Sequence, residues 1–213
     1  SKLERGAVWF ASAVVAPFVD FFKRNGRFAI VILLFIGLFR LSDIVMGIMA
    51  NPFYLDLGFS KADIASIGKL FGFFMTIAGS FLGGLMVVRY GIYRPLLAGA
   101  IMVALTNLLF AHLAGSGPDI NWLAVGISAD NLSGGLSNAV LIAYLSGLTN
   151  RAYTATQYAL FSSLMTLPGK FTSGFSGLIV DASGYSFFFT YAAVMGIPAI
   201  LLAAYILRRE RLQ

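Results

Sequence analysis

A chain of 213 residues that is 59% hydrophobic and 11% charged cannot be wetted on all sides, since soluble domains carry about 25% charged residues. The composition excludes a soluble globular domain and points to an all-α integral membrane protein. Cysteine is absent, so disulfides, thiol nucleophiles and thiolate metal sites are excluded, and the net charge of +6 suits basic membrane-flanking loops, no nucleic-acid motif accompanying it.

Residues 1–27 open with Lys2 and Arg5 before an apolar stretch, an arrangement shared by signal peptides. The stretch runs on into DFFKRNG, and Val8, Val15, Val19 and Phe22 recur at helical spacing. A short helix lying along the membrane surface therefore fits better, as part of a cytoplasmic linker. The first residue is Ser rather than Met, which suggests that the native start is missing.

A bilayer core of roughly 30 Å needs about 20 apolar residues per helix. Six segments qualify: 28–50, 62–88, 95–114, 122–148, 154–180 and 185–207. Turn signals separate them at NPF (51–53), RYGIYR (89–94), GSGPDIN (115–121), TNR (149–151) and DASGY (181–185). The expected organisation is a linker over 1–27, a six-helix bundle over 28–208 and a tail over 209–213.

Basic residues alternate along the chain. Lys23, Arg24 and Arg27 precede the first segment, Arg89 and Arg94 follow the second, Arg151 the fourth, and Arg208, Arg209 and Arg211 the sixth. The other loops hold mainly Asp, with Lys61 between Asp56 and Asp63. Excess Lys and Arg marks cytoplasmic loops, so both termini are expected in the cytoplasm.

A faint repeat accompanies this pattern. GGLMVVRYG at 83–91 aligns with SGLIVDASG at 176–184 at an offset of 93, matching Gly84 to Gly177 and Gly91 to Gly184. The offset maps segments one to three onto four to six. An odd number of spans inverts the second copy, which is a transporter device.

Ionisable residues at membrane depth cost about 2.5–3.5 kcal/mol each near a helix centre. The chain has five: Arg40, Asp43, Lys69, Asp130 and Lys170. They need a shared interior, a partner or water. Gly37, Arg40, Asp43 and Gly47 share a face in the first segment; Lys69, Gly72, Thr76, Gly79 and Gly83 do so in the second. Ser163, Thr166, Lys170, Ser173 and Gly177 repeat the pattern in the fifth. In the fourth, Asp130, Gly134 and Ser137 lie beside Asn131, Gly135 and Asn138. Such stripes let helices approach closely or border a hydrated cavity.

Structural roles compete at each position. Arg40 and Asp43 can be a local ion pair, Lys69 can snorkel outward, and Asp130 can pair with Lys170. The Gly79–Gly83 spacing favours packing over dimerisation, and His112 reads as an interface residue. No HExxH, GxSxG, phosphate loop or metal-ligand cluster is present, so no enzyme activity, cofactor or metal is expected.

GGLMVVRYGIYRPLL at 83–97 resembles the signature loop of the major facilitator superfamily through Gly83, Gly84, Arg89, Gly91 and Arg94, with Val88 where the pattern has an acid. The strings 17–26, 33–60, 105–114 and 135–177 resemble the AmpG-type muropeptide permeases, specifically their second six-helix half. The resemblance implies proton-driven import of anhydro-muropeptides across the bacterial inner membrane for cell-wall recycling. It also implies a missing N-terminal six-helix half. Gly84, Arg89, Gly91 and Arg94 would then form the conformational loop.

Cations, amides and hydroxyls suit the carboxylates and sugars of a muropeptide. Arg40, Lys69, Asn131, Asn138 and Lys170 are the candidate substrate ligands. Carboxylates beside cations suit proton coupling, which selects Asp43 and Asp130. Two other classes remain: a self-pairing six-helix transporter or channel for another anionic solute, and a non-transporting membrane scaffold or sensor.

Overall fold

The computed structural model describes Trp9 and residues 11–212. The rest of the N-terminal segment, including Lys2, Arg5 and Val8, lies outside the described residues. Every regular element described is helical. A π-helical turn at Ala11–Val15 leads into α1 (Ala16–Asn25); Val15 of the turn and Phe18, Val19 and Phe22 of α1 are exposed, and Phe21 is buried. Gly26, at φ 55°, turns the chain into the bundle.

The first span is α2 (Phe28–Phe39) continued by α3 (Leu41–Asp56). The second is α4 (Lys61–Ile67), a π-helical turn at Gly68–Gly72, and α5 (Phe73–Tyr90). The third and fourth are single helices, α6 (Tyr93–Ser116) and α7 (Ile120–Leu148). Then come α8 (Thr154–Ser173), α9 (Ser176–Met195) and α10 (Ile197–Glu210). Non-helical Gly184 divides α9, so its first part completes the fifth span and its second part opens the sixth.

The stretches Phe28–Asp56, Lys61–Tyr90, Tyr93–Ser116 and Ser176–Glu210 are long and apolar enough to cross a membrane. The fourth and fifth of the six expected segments do not reach that apolarity. α7 and α8 carry the Ser, Thr and Asn stripes, and these polar residues lower the hydropathy of the two helices.

One expected turn is overturned. NPF at 51–53 does not end a helix, because α3 runs through Pro52 to Asp56. Proline forfeits one helical hydrogen bond, but Phe53 and Tyr54 just beyond it are buried in an aromatic cluster. Phe53 meets Phe189 at 4.8 Å and Tyr185 at 5.0 Å between ring centroids, and continuing the helix through Pro52 keeps both rings in place. The chain turns instead at Gly58, φ 104°, after which Ser60 and Asp63 form a reciprocal capping box that starts α4. Asp119 caps α7 one-sidedly, its Oδ1 accepting from the amides of Asn121 and Trp122.

The packing reproduces the repeat. α5 lies along α7 (second span on fourth), and α8 lies along α2 and α3 (fifth on first). α6 packs on α7 (third on fourth), and α9 packs on α3 (sixth on first). α6 also packs on α9 and α10, third on sixth. Exchanging one with four, two with five and three with six returns the same set of neighbours. The backbone agrees: Gly91 has φ 76°, ψ 179° and Gly184, 93 positions later, has φ 77°, ψ 171°. An L side chain is strained at such angles, so glycine is required at both turns.

Candidate functional site

The α2–α3 break places the first pair of charges. Arg40 leaves helical geometry at φ −98°, ψ 2°, and its Nη2 donates to Asp43 Oδ2 at 2.6 Å. Both side chains are partly accessible, 30% and 22%, so the pair borders open space rather than lying sealed in the core. On the neighbouring α7, Asp130 lies within electrostatic reach of Asp43 and Tyr54. Asp130 forms no ion pair with Lys170 among the described residues.

Close helix approach defines the seam between α5 and α7. Gly79 and Gly83 of α5 lie directly against the backbone of Leu132 and Leu136, and Gly135 of α7 lies against the carbonyl of Thr76. A methyl group at Gly83 would stand 2.8 Å from the Leu136 carbonyl oxygen. The glycine stripe is thus a packing seam inside one chain. Across it Thr76 Oγ1 donates to Asn131 Oδ1 at 3.0 Å, and Asn131 Nδ2 donates to the Ile127 carbonyl at 2.8 Å. Asn131 joins two spans, with its amide already engaged on both atoms.

Lys69 is exposed within the π-helical turn, a distortion often found at functional positions. Lys170 is exposed two residues after Pro168, and Asn138 is exposed on α7. The signature-loop residues Gly84, Arg89, Gly91 and Arg94 are also exposed, around the Gly91 turn. His112 stacks edge-on to Trp122 at 5.1 Å, where α6 ends and α7 begins. The structure thus joins Arg40 to Asp43, places Asp130 within electrostatic reach of Asp43, and ties Asn131 to Thr76. Lys69, Asn138 and Lys170 stand apart on accessible surface.

Two buried polar clusters escaped the sequence. Ser42, beside Asp43, donates to the Ala192 carbonyl at 2.6 Å and accepts from Asn107 Nδ2 at 2.6 Å. The cluster ties the first, third and sixth spans. The other fastens α1 to the turn between α7 and α8. Gln157, buried to 1% exposure, donates through Nε2 to the Pro17 carbonyl and to Asp20 Oδ2, and its Oε1 accepts from Asn150 N and Arg24 Nη2. Arg24 also binds Asp20 at 2.9 Å and the Leu148 carbonyl. Burial would raise the Asp20 carboxyl, yet hydrogen bonds from Gln157, Arg24 and Asn150 hold it below the usual 3.8. Only the Asp20–Arg24 spacing of four hinted at this cluster; its partners are more than 120 residues away.

The model of the Major Facilitator Superfamily matches residues 28–213. "Putative transporter AmpG 4" of Rickettsia conorii is 36% identical over 195 residues, covering 92% of this chain and 47% of that protein. The "Anhydromuropeptide permease" of Escherichia coli K12 is 30% identical over 191 residues, covering 89% of this chain and 38% of that protein. An uncharacterised Haemophilus influenzae protein is 34% identical over 200 residues, covering 90% and 47%. The chain thus spans less than half the length of these relatives. The family match, the inverted packing and the polar stripes agree: this six-span chain belongs to the major facilitator superfamily of membrane transporters.

Proposed function

We propose that this bundle is the second half of a proton-coupled permease that imports anhydro-muropeptides across a bacterial inner membrane. In that arrangement both termini lie in the cytoplasm, residues 1–27 are the end of the linker from the other half, and residues 209–213 form the tail. The missing six-span half completes the cavity. The Arg40–Asp43 pair carries the proposal. It sits at a break in the first span, partly accessible, with Asp43 within electrostatic reach of Asp130.

An ionised carboxylate held by a guanidinium can be released when the spans move, letting a proton or a substrate carboxylate compete for the same partners. Arg40, Lys69 and Lys170 supply cations for peptide carboxylates, Asn138 a free amide for sugar or peptide groups. Asn131 acts by holding α7 against α5 as well as by facing substrate. The relatives' printed names, "Putative transporter AmpG 4" and "Anhydromuropeptide permease", support the substrate class.

The test is uptake of labelled anhydro-muropeptide by the complete two-half transporter carrying Asp43→Asn. Uptake that no longer responds to an imposed proton gradient is expected. A pH-dependent uptake identical to the parent overturns the assignment of Asp43.

A further inference from the structure

At the end of the bundle where α5 gives way to α6, a pocket of about 290 Å³ is lined by Arg89, Tyr90, Tyr93, Arg94, Glu210 and Arg211. A second, of about 380 Å³, lies beside it and shares Leu207 and Arg211. Its other walls include Leu97, Ala204 and Arg208. One polar pocket and one largely apolar groove thus meet along α10.

The charges here are unspent. Arg89, Arg94, Arg208 and Arg211 are exposed and make no ion pair among the described residues. Arg89 lies loosely over the Tyr90 ring, 5.5 Å from its centre, whereas the adjacent Arg209 is committed closely to Phe28, its guanidinium 3.8 Å from that ring's centre. Glu210 is the acid of the pocket and leaves the lining net positive. No side chain caps α6, so the positive end of its dipole adds to the same region.

We propose that this is a binding site for one anionic phospholipid. The phosphate sits among Arg89, Arg94 and Arg211, with the Tyr90 hydroxyl as a further donor, the Tyr93 hydroxyl facing Glu210. One acyl chain lies in the groove along Leu97, Ala204 and Leu207. Guanidinium groups suit phosphate because they present paired, fixed donors, and they are weakly hydrated. Basic pockets between membrane helices recognise anionic headgroups on this principle. The groove explains why the ligand is a lipid rather than free phosphate: its Leu97, Ala204, Leu207 and Leu212 walls suit an acyl chain and would be wasted on an ion.

Native mass spectrometry of the protein released from mild detergent tests this. Phosphatidylglycerol adducts are expected at about tenfold lower lipid concentration than those of phosphatidylcholine with matched chains. R89Q/R94Q/R211Q abolishes that preference. K23Q/R27Q/R151Q removes three exposed charges elsewhere and keeps it. Ala204→Trp fills the groove and lowers phosphatidylglycerol retention with the arginines intact. Equal retention of the two lipids, or equal losses in the two triple variants, means non-specific charge attraction and overturns the proposal. So does full retention by Ala204→Trp, or binding of glycerol phosphate as strong as that of the lipid.

Discussion

Gln157 Nε2 donates to Asp20 Oδ2 at 3.0 Å, joining α1 to the start of α8 across 137 residues of sequence. The same side chain meets Pro17, Arg24 and Asn150, so it is the centre of the fastening. Gln157→Leu keeps the size but strands those groups, at roughly 1–3 kcal/mol for the buried ones. Trypsin should then cut at Lys23, Arg24 and Arg27 faster than in the parent, with the spans still protected. An unchanged cleavage rate would mean that α1 is held by Phe21 and lipid alone.

The depressed Asp20 carboxyl sets the pH range of this fastening. A group whose folded pKa lies below its unfolded value contributes stability that is complete above the unfolded value and is lost as pH falls through the folded one. The attachment of α1 should therefore persist through mildly acidic solution and fail only below the ordinary carboxylate value of 3.8. Tryptic protection of Lys23 and Arg24 cannot be read at such pH, so amide exchange in 16–25 is the measurement. Loss of protection near pH 6 would contradict it.

Glycines in the seam and in the open should respond oppositely. Gly83→Ala pushes a methyl to 2.8 Å from the Leu136 carbonyl and must part α5 from α7. A loss of roughly 1–3 kcal/mol follows. Gly47→Ala meets nothing within 4 Å and should gain up to about 1 kcal/mol from helix propensity. Thermal unfolding in detergent compares them. Equal effects would deny that the stripe is an internal seam.

Gly91→Ala and Gly184→Ala test the repeat. Each forces a Cβ into a left-handed region at a cost of about 1–3 kcal/mol, with no neighbour within 4 Å to add a clash. Similar destabilisation at both, read by the same thermal melts, is the expected outcome. A large loss at one alone would separate the two turns.

Phe53→Ala removes a fully buried ring from the cluster with Tyr54, Tyr185 and Phe189, and should cost about 3–5 kcal/mol. Phe81, 71% exposed on α5, should tolerate alanine in detergent with little change. Comparable shifts in melting temperature for the two would overturn the assignment of the core.

Much of this was visible in the residues themselves. Long apolar runs and small-residue stripes at helical spacing are local signals, and they located the spans, the α5–α7 seam and the Arg40–Asp43 pair. Gly91 and Gly184 marked the repeat because a left-handed turn admits little else. What the residues hid was non-local or decided by competition. Pro52 reads as a stop, and only the ring packing beyond it shows why the helix continues. Gln157 looks like an ordinary polar residue until its partners arrive from α1 and the α7–α8 turn. Asn131 has the chemistry of a ligand, yet the fold spends its amide on Thr76 and Ile127. Lys69 and Lys170 fit the ligand pattern, but neither side chain makes an ion pair or a hydrogen bond among the described residues.

The uneven continuity of the spans has a mechanical consequence. α6 and α7 run unbroken for 24 and 29 residues and act as rigid struts. The remaining spans are jointed rods. The first bends at Arg40, the second at the π-helical turn, the fifth near Gly174 and the sixth near Gly196. Bending therefore concentrates at joints, two of which lie at or beside a candidate ligand. When such a bundle flexes, the backbone torsions change most at Arg40 and around Lys69, while Asp130 sits inside an unbroken helix.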